Sequence, residues 1–243
     1  MMKTDQHHDP VGSATATAPL VVLDRVSKTY RGDGTGQTVL QDVSLEIEAG
    51  EFVVLLGPSG SGKTTLLNVI GALDASDTGT VTVCGTELDG ATPGELADFR
   101  ARSVGFVFQF YNLLPTLTAM ENVVAGMTVA GIPRRRAKQE AAAFLDRVGL
   151  AALQDRLPGE LSGGEQQRVA IVRALAKGPR LVLADEPTGN LDTASSGEIV
   201  ELMHRLNEET GATFLVVSHD PTVAATAGRV VRLADGHLVA GEG

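Results

Sequence analysis

Apolar positions along the chain fall into two rhythms. Strand patterns fall at 20–30 and 39–47, the second alternating with Val43, Leu45 and Ile47 separated by polar residues, and a Gly-rich connection at 31–37 joins them. Continuous apolar runs at 52–56, 181–184 and 213–218 are too short for helices and fit strands buried on both faces, as in parallel sheets. The first run ends in glycine and leads into a helical pattern at 63–70; 81–84 and 104–109 read as further strands, with a helix at 95–102 between them. From about 118 to 148 the period becomes that of two helices, 119–130 and 134–148, broken at Gly131-Ile132-Pro133. Ser162 and Glu165 make a Ser-x-x-Glu capping box that opens a helix to 177, stopped by Gly178 and Pro179. Asp192 caps a helix through 209, and 230–233 with 238–240 flank an Asp-Gly turn as a terminal hairpin. Strands alternating with helices predict an α/β fold: a mostly parallel sheet with an antiparallel β opening, plus an inserted α-helical subdomain at about 95–177.

Composition narrows the class. With 243 residues, 43% of them hydrophobic and 21% charged, the chain can bury a full core, and 20–243 is expected to form one domain after a disordered tail at 1–19. No apolar run approaches the roughly 18 residues of a membrane helix, and the tail lacks the apolar centre of a secretory signal, so a cytoplasmic protein that does not cross the bilayer is expected. A net charge of −10 leaves no basic footprint for nucleic acid, which is not expected as a partner. Arg134 to Arg136 and Lys138 fit a solvated helix face, His7-His8 belongs to the tail, and the single Cys84 reads as a strand residue without a disulfide partner.

Gly57-Pro58-Ser59-Gly60-Ser61-Gly62-Lys63-Thr64 matches the phosphate-loop pattern, Gly, four residues, then Gly-Lys-Ser/Thr. Its place between a buried strand and a helix lets backbone N–H groups converge on phosphate oxygens, with Lys63 at the β and γ phosphates and the Thr64 hydroxyl on Mg²⁺. The bland alternative is a flexible Gly-rich turn. Asp185 and Glu186 end the second apolar run, at a strand's carboxyl end, where ligands of open α/β sheets gather. Asp185 suits the metal and Glu186 the base that takes a proton from, or orients, the attacking water, although Asp-Glu before Pro187 alone also fits a solvated turn. His219 and Gln109 likewise follow strands, and each alone reads equally as a cap or surface residue.

Leu161-Ser162-Gly163-Gly164-Glu165, followed by Gln166-Gln167-Arg168, then shows a resemblance. Over roughly 20–240 the chain resembles the ATP-binding-cassette (ABC) ATPases. The resemblance implies a P-loop NTPase of the ABC ATPase type, with ATP and Mg²⁺ as cofactors. It makes Tyr30 the adenine-stacking aromatic, Gly57 to Thr65 the phosphate loop, Gln109 the Q-loop glutamine at metal and water, Glu186 the catalytic glutamate, Asn190-Leu191-Asp192 the D-loop and His219 the switch histidine. Ser162, Gly163 and Gly164 open a helix whose amino end suits an anion; the resemblance assigns that anion to the γ phosphate on a second copy of the chain, so that two chains pair head to tail around two ATP molecules.

Val104 to Pro115, Glu121-Asn122-Val123 and Ala184 to Asp192 are similar to the macrolide-export and lipoprotein-release subfamily. Its cassettes work with permeases of four membrane helices and a large extracytoplasmic domain, which implies a position on the inner face of the membrane and a role in export, lipoprotein release or force transmission. Glu165, Val172 and Ser218 stand where that subfamily often has glutamine, alanine and threonine. A non-transport ABC ATPase is the alternative, and it usually carries coiled coils, zinc insertions or paired cassettes that this sequence does not show. A P-loop kinase or GTPase leaves 161–165 unexplained and lacks an Asn-Lys-x-Asp motif.

Overall fold

In the computed structural model, which describes residues 18–31 and 36–239, the apolar run at 52–56 is strand β3 (Phe52–Leu56), buried at every position. It is hydrogen-bonded on both sides within a six-stranded sheet of order β10-β9-β3-β8-β7-β6, where β6 is Val104–Phe108, β7 Leu181–Asp185, β8 Thr213–Ser218, β9 Arg229–Ala234 and β10 His237–Val239. β9, β3, β8, β7 and β6 run parallel and only β10 is antiparallel.

Both faces of this sheet are covered, which is why its strands read as unbroken apolar runs. Successive side chains point to opposite faces. Phe52, Val54 and Leu56, with Val182, Ala184, Phe214 and Val216, pack into one core against helices α3 (Ala119–Val129), α4 (Arg134–Arg147), α5 (Gly163–Leu175) and α6 (Thr193–Thr210). Val53 and Leu55, with Leu181, Leu183, Leu215 and Val217, pack into the other, against α1 (Lys63–Ile70) and a second sheet. At about 2 kcal/mol for each buried aliphatic or aromatic side chain, β3 alone gains roughly 10 kcal/mol of burial before the cost of ordering. Such a strand is a rigid base for the loop that follows it.

The antiparallel opening is that second sheet, separate from the parallel one: β1 (Val21–Arg31) pairs with β2 (Gly36–Ile47) and β4 (Thr78–Val83), and β4 with the short β5 (Thr86–Glu87). Cys84 lies one residue beyond β4 with φ +54, in a turn and not in the strand. The span 95–177 is not purely helical, because β6 lies inside it, after α2 (Pro93–Ser103), and joins the parallel sheet beside β7. α3 and α4 pack on each other and on α5 as the helical lobe. A short helix α7 (Pro221–Ala225) follows β8 and has no counterpart in the sequence-based expectation. The tail at 1–17, with His7 and His8, the connection at 32–35 and the end of the terminal hairpin at 240 lie outside the described residues.

Candidate active site

Four parallel strands deliver the predicted site residues to one edge. In sheet order β3, β8, β7, β6 the carboxyl ends lead into Gly57, His219, Glu186 and Gln109, and the register Leu56 with Ser218, Asp185 with Val217 and Phe108 with Asp185 holds them in a row. The chain order, 57, 109, 186, 219, differs.

The loop after β3 is shaped by glycine where other residues do not fit. A Cβ on Gly57 would lie 2.1 Å from the Leu233 carbonyl oxygen, and one on Gly62, whose φ is +102, would lie 2.7 Å from that of Val39. Lys63 is 8% exposed and its Nζ donates to the carbonyls of Gly57 (2.8 Å) and Pro58 (2.9 Å), folding the ammonium over the loop. Helices α2, α3, α5 and α6 each have a side-chain N-cap; α1, which starts at this loop, and α4 have none, and neither has an acidic residue in its first turn. The Ser61 hydroxyl, in the same loop, is buried without a hydrogen-bond partner. Uncapped amides, an ammonium and an orphaned hydroxyl suit an anion such as a phosphate chain. Gly60, Gly62, Lys63, Thr64 and Thr65 line a shallow pocket there with Val39. Tyr30 sits on β1, 42% exposed, with its hydroxyl donating to Asp74 at 2.7 Å. Burial, then the Asp74 carboxylate, raises its pKa, so the ring stays neutral and available for stacking.

At the end of β7, Asp185 Oδ1 accepts from Thr64 Oγ1 at 3.3 Å, so two of the three expected metal-binding side chains meet. Burial raises the Asp185 pKa, the neighbouring Glu186 adds to it, and Thr64 and Lys63 oppose it. A cation beside it would relieve that cost. Among the described residues no three His, Cys, Asp or Glu side chains converge. A metal at Thr64 and Asp185 therefore needs phosphate and water oxygens to complete its shell, as Mg²⁺ in nucleotide sites does.

Glu186 takes φ +46, a left-handed conformation costing a bulky residue of order 1 kcal/mol, and it is held there by donation of its N–H to the Val217 carbonyl at 3.0 Å. Its Oε2 lies 2.9 Å from His219 Nδ1. The carboxylate is thus turned toward the histidine at the next strand end. Gln109 goes elsewhere: its Nε2 donates to Asn190 Oδ1 at 3.2 Å and its backbone carbonyl accepts from Asn190 Nδ2 at 3.0 Å. It makes no hydrogen bond to Thr64 or Asp185, and the segment after Glu186 holds it.

Ser162, Gly163 and Gly164 begin α5, with Ser162 as N-cap. A Cβ on Gly163 would lie 2.9 Å from Tyr111 Oη, so glycine admits the loop that follows Gln109. None of the hydrogen bonds of Ser162 to Gly164 reaches Gly57 to Thr65.

Residues 40–189 match the family profile described as ABC transporter. The chain belongs to the ABC transporter family. Lipoprotein-releasing system ATP-binding protein LolD of Anaeromyxobacter dehalogenans is 49% identical over 226 residues, covering 91% of this chain and 93% of that protein. Macrolide export ATP-binding/permease protein MacB of Syntrophobacter fumaroxidans is 47% identical over 219 residues, 89% of this chain but 31% of its own length. The chain spans about a third of the macrolide-export relatives it matches. Among solved structures, the ATP-binding cassette MJ0796, a dimer in a post-hydrolysis state bound to ADP and Pi, is similar with a TM-score of 0.83 and 41% identity, over 90% of this chain and 97% of that one.

In this ABC cassette several side chains that sequence reasoning left without a role hold the site or the helical lobe beside it. Asp74 anchors both Tyr30 and Lys28, the latter at 2.8 Å. Asn122, fully buried in α3, is bonded four times to the loop before it. Arg173 donates to the carbonyls of Tyr111 and Asn112, and Lys177 to that of Arg100 at 2.8 Å. Burial lowers the Lys177 pKa to about 8. Both cations line a largely apolar groove with Phe106, Phe108, Leu114 and Val129. The sequence singled out Asn122 only as part of the Glu121-Asn122-Val123 motif; its hydrogen bonds to the preceding loop came from the fold.

Proposed function

We propose that this ABC ATPase works as a head-to-tail dimer that closes on two MgATP molecules and transmits closure and reopening to a membrane permease. The observation that carries the reading is the division of the chemistry: Lys63, Thr64, Asp185, Glu186 and His219 share one sheet edge, while Ser162 to Gly164 open a helix that does not bond to it. A second copy supplies what one copy lacks.

In this reading Lys63 leaves the Gly57 and Pro58 carbonyls for the β and γ phosphates, the amides of the loop and α1 cradle their oxygens, and Tyr30 stacks on the adenine. Thr64 and Asp185, the latter through water, would hold Mg²⁺, with Gln109 joining on closure; the ion would supply positive charge to stabilise the phosphates. Glu186 accepts the proton of the water that attacks the γ phosphorus, and His219 fixes the carboxylate and meets the phosphate oxygens. Gln109, tied to Asn190 and next to Phe110, links the site to the groove on the helical lobe.

Leu114 and Val129, 51% and 75% exposed, line that groove with Phe106 and Phe108, an apolar surface that suits a partner protein. No helix among the described residues is long and apolar enough to cross a membrane, so spanning would fall to the permease, in the subfamily one of four helices. The cargo is a property of that partner.

Glu186→Gln should bind ATP and accumulate a dimer. Light scattering with saturating MgATP checks this, and a variant that remains monomeric contradicts it. Full-length chain purified from its own membranes in detergent should bring a permease with it; purely soluble partners favour a non-transport ABC ATPase.

A further inference from the structure

Glutamate closes three helix starts in the same manner: Glu95 with Thr92 at α2, Glu121 with Thr118 at α3, and Glu165 with Ser162 at α5. Each box satisfies orphan amides. At α5, however, the capped serine is also the residue that must meet the γ phosphate of the other copy, a role that rests on the head-to-tail reading above.

The geometry there sets two demands against each other. Glu165 Oε2 accepts from the Ser162 N–H at 2.7 Å and from the Ser162 hydroxyl at 2.9 Å. A serine hydroxyl has one proton to give, and in this chain Glu165 takes it. A γ phosphate arriving at Ser162 needs that same proton. It also brings a second negative charge to a hydroxyl that already carries a carboxylate within hydrogen-bond distance, placing two anions about 5 Å apart across one oxygen. Even at the dielectric constant of bulk water, such a pair weakens binding by about fourfold. A symmetric dimer contains the pair twice, which multiplies to more than tenfold.

We infer that Glu165 is a brake on dimer closure: it retains the Ser162 proton and repels the incoming γ phosphate, so that closure requires its carboxylate to swing off Ser162 and the ATP-bound dimer stays short-lived. The amino end of α5 attracts the phosphate while Glu165 opposes it, and the balance sets how readily the closed state reopens. Glutamine at this position keeps an acceptor for the Ser162 N–H, and so keeps the cap, but removes the charge.

The test is made in the full chain carrying Glu186→Gln. Dimerisation with MgATP is followed by sedimentation equilibrium, with and without Glu165→Gln, in about 50 mM and about 500 mM salt. The neutral variant should lower the dimer dissociation constant by roughly tenfold at low salt, and the advantage should shrink to about threefold at high salt as the repulsion is screened. Glu121→Gln, the same change in the α3 box, should leave the constant unchanged. Equal dimer affinity with and without Glu165→Gln, or a gain indifferent to salt, overturns the brake and leaves Glu165 only a cap. If the Glu186→Gln parent itself stays monomeric, the head-to-tail reading fails and the inference falls with it.

Discussion

Replacing Asn122 by alanine separates a local tether from the packing around it. The Asn122 Oδ1 accepts the Leu114 N–H at 2.8 Å, and Nδ2 donates toward the carbonyls of Leu114 (3.1 Å), Leu117 (2.9 Å) and Thr118 (3.0 Å), sharing its two protons among three acceptors. Alanine deletes all four contacts. The Leu114 and Thr118 carbonyls keep partners in the N–H groups of Leu117 and Asn122, so the groups left short are the Leu114 N–H and the Leu117 carbonyl. At about 1–3 kcal/mol for each unsatisfied group, reduced because Leu114 is half exposed and alanine favours the helix, the net loss is about 2 kcal/mol. For a chain of this length that lowers Tm by roughly 4–8 °C. Asn122→Asp is the sharper probe, since it keeps the acceptor for Leu114 but points a carboxylate at three carbonyl oxygens; it should cost more than alanine. Differential scanning calorimetry of the three proteins checks the order. ATP turnover by the free cassette should persist in Asn122→Ala, while affinity for the permease falls because Leu114 lines the groove. An alanine variant within about 1 °C of wild type, or an aspartate variant milder than alanine, refutes the reasoning.

Two further outcomes are expected. Lys63→Ala removes charge-assisted contacts worth about 3 kcal/mol, so the Kd for ATP should rise at least roughly hundredfold by titration calorimetry; unchanged affinity defeats the phosphate-loop assignment. Burial holds Lys177 down at about 8 in the folded chain, against about 10.4 when unfolded. Below pH 8 both states are protonated and the fold bears the full cost; from there to about pH 10 the unfolded state binds more protons, so stability rises. Relative to Lys177→Met, wild type should gain about 1 kcal/mol between pH 7.5 and 9.5 after allowance for partial solvation, measured by urea unfolding at the two pH values. Parallel pH dependence in the two proteins excludes the buried cation as its cause.

The phosphate loop, the Asp185-Glu186 pair and the Ser162 box were legible because each depends on local geometry: a glycine-rich turn after a strand, acids at a strand's end, a hydroxyl three residues before a glutamate. Neighbours in space but not in sequence were not legible. Gln109 was expected at the metal, yet Asn190, 81 residues away, holds its amide. Cys84 looked like one more alternating residue and proved to be a turn. The helical insertion was seen from its period, but the strand inside it belongs to the parallel sheet, where β6 bonds its backbone to β7.

The sequence by itself determined which strands are buried on both faces, since only double burial requires unbroken apolar runs, and it supplied the motifs on which the proposed nucleotide site rests, because phosphate loop and signature are contiguous segments. Tertiary structure alone decided that β8 inserts between β3 and β7, so that His219 reaches Glu186 across 33 residues of chain. It also decided that the start of α5 makes no hydrogen bond to its own phosphate loop. Strand order and helix placement are settled by long-range burial, and no local pattern in the chain encodes them.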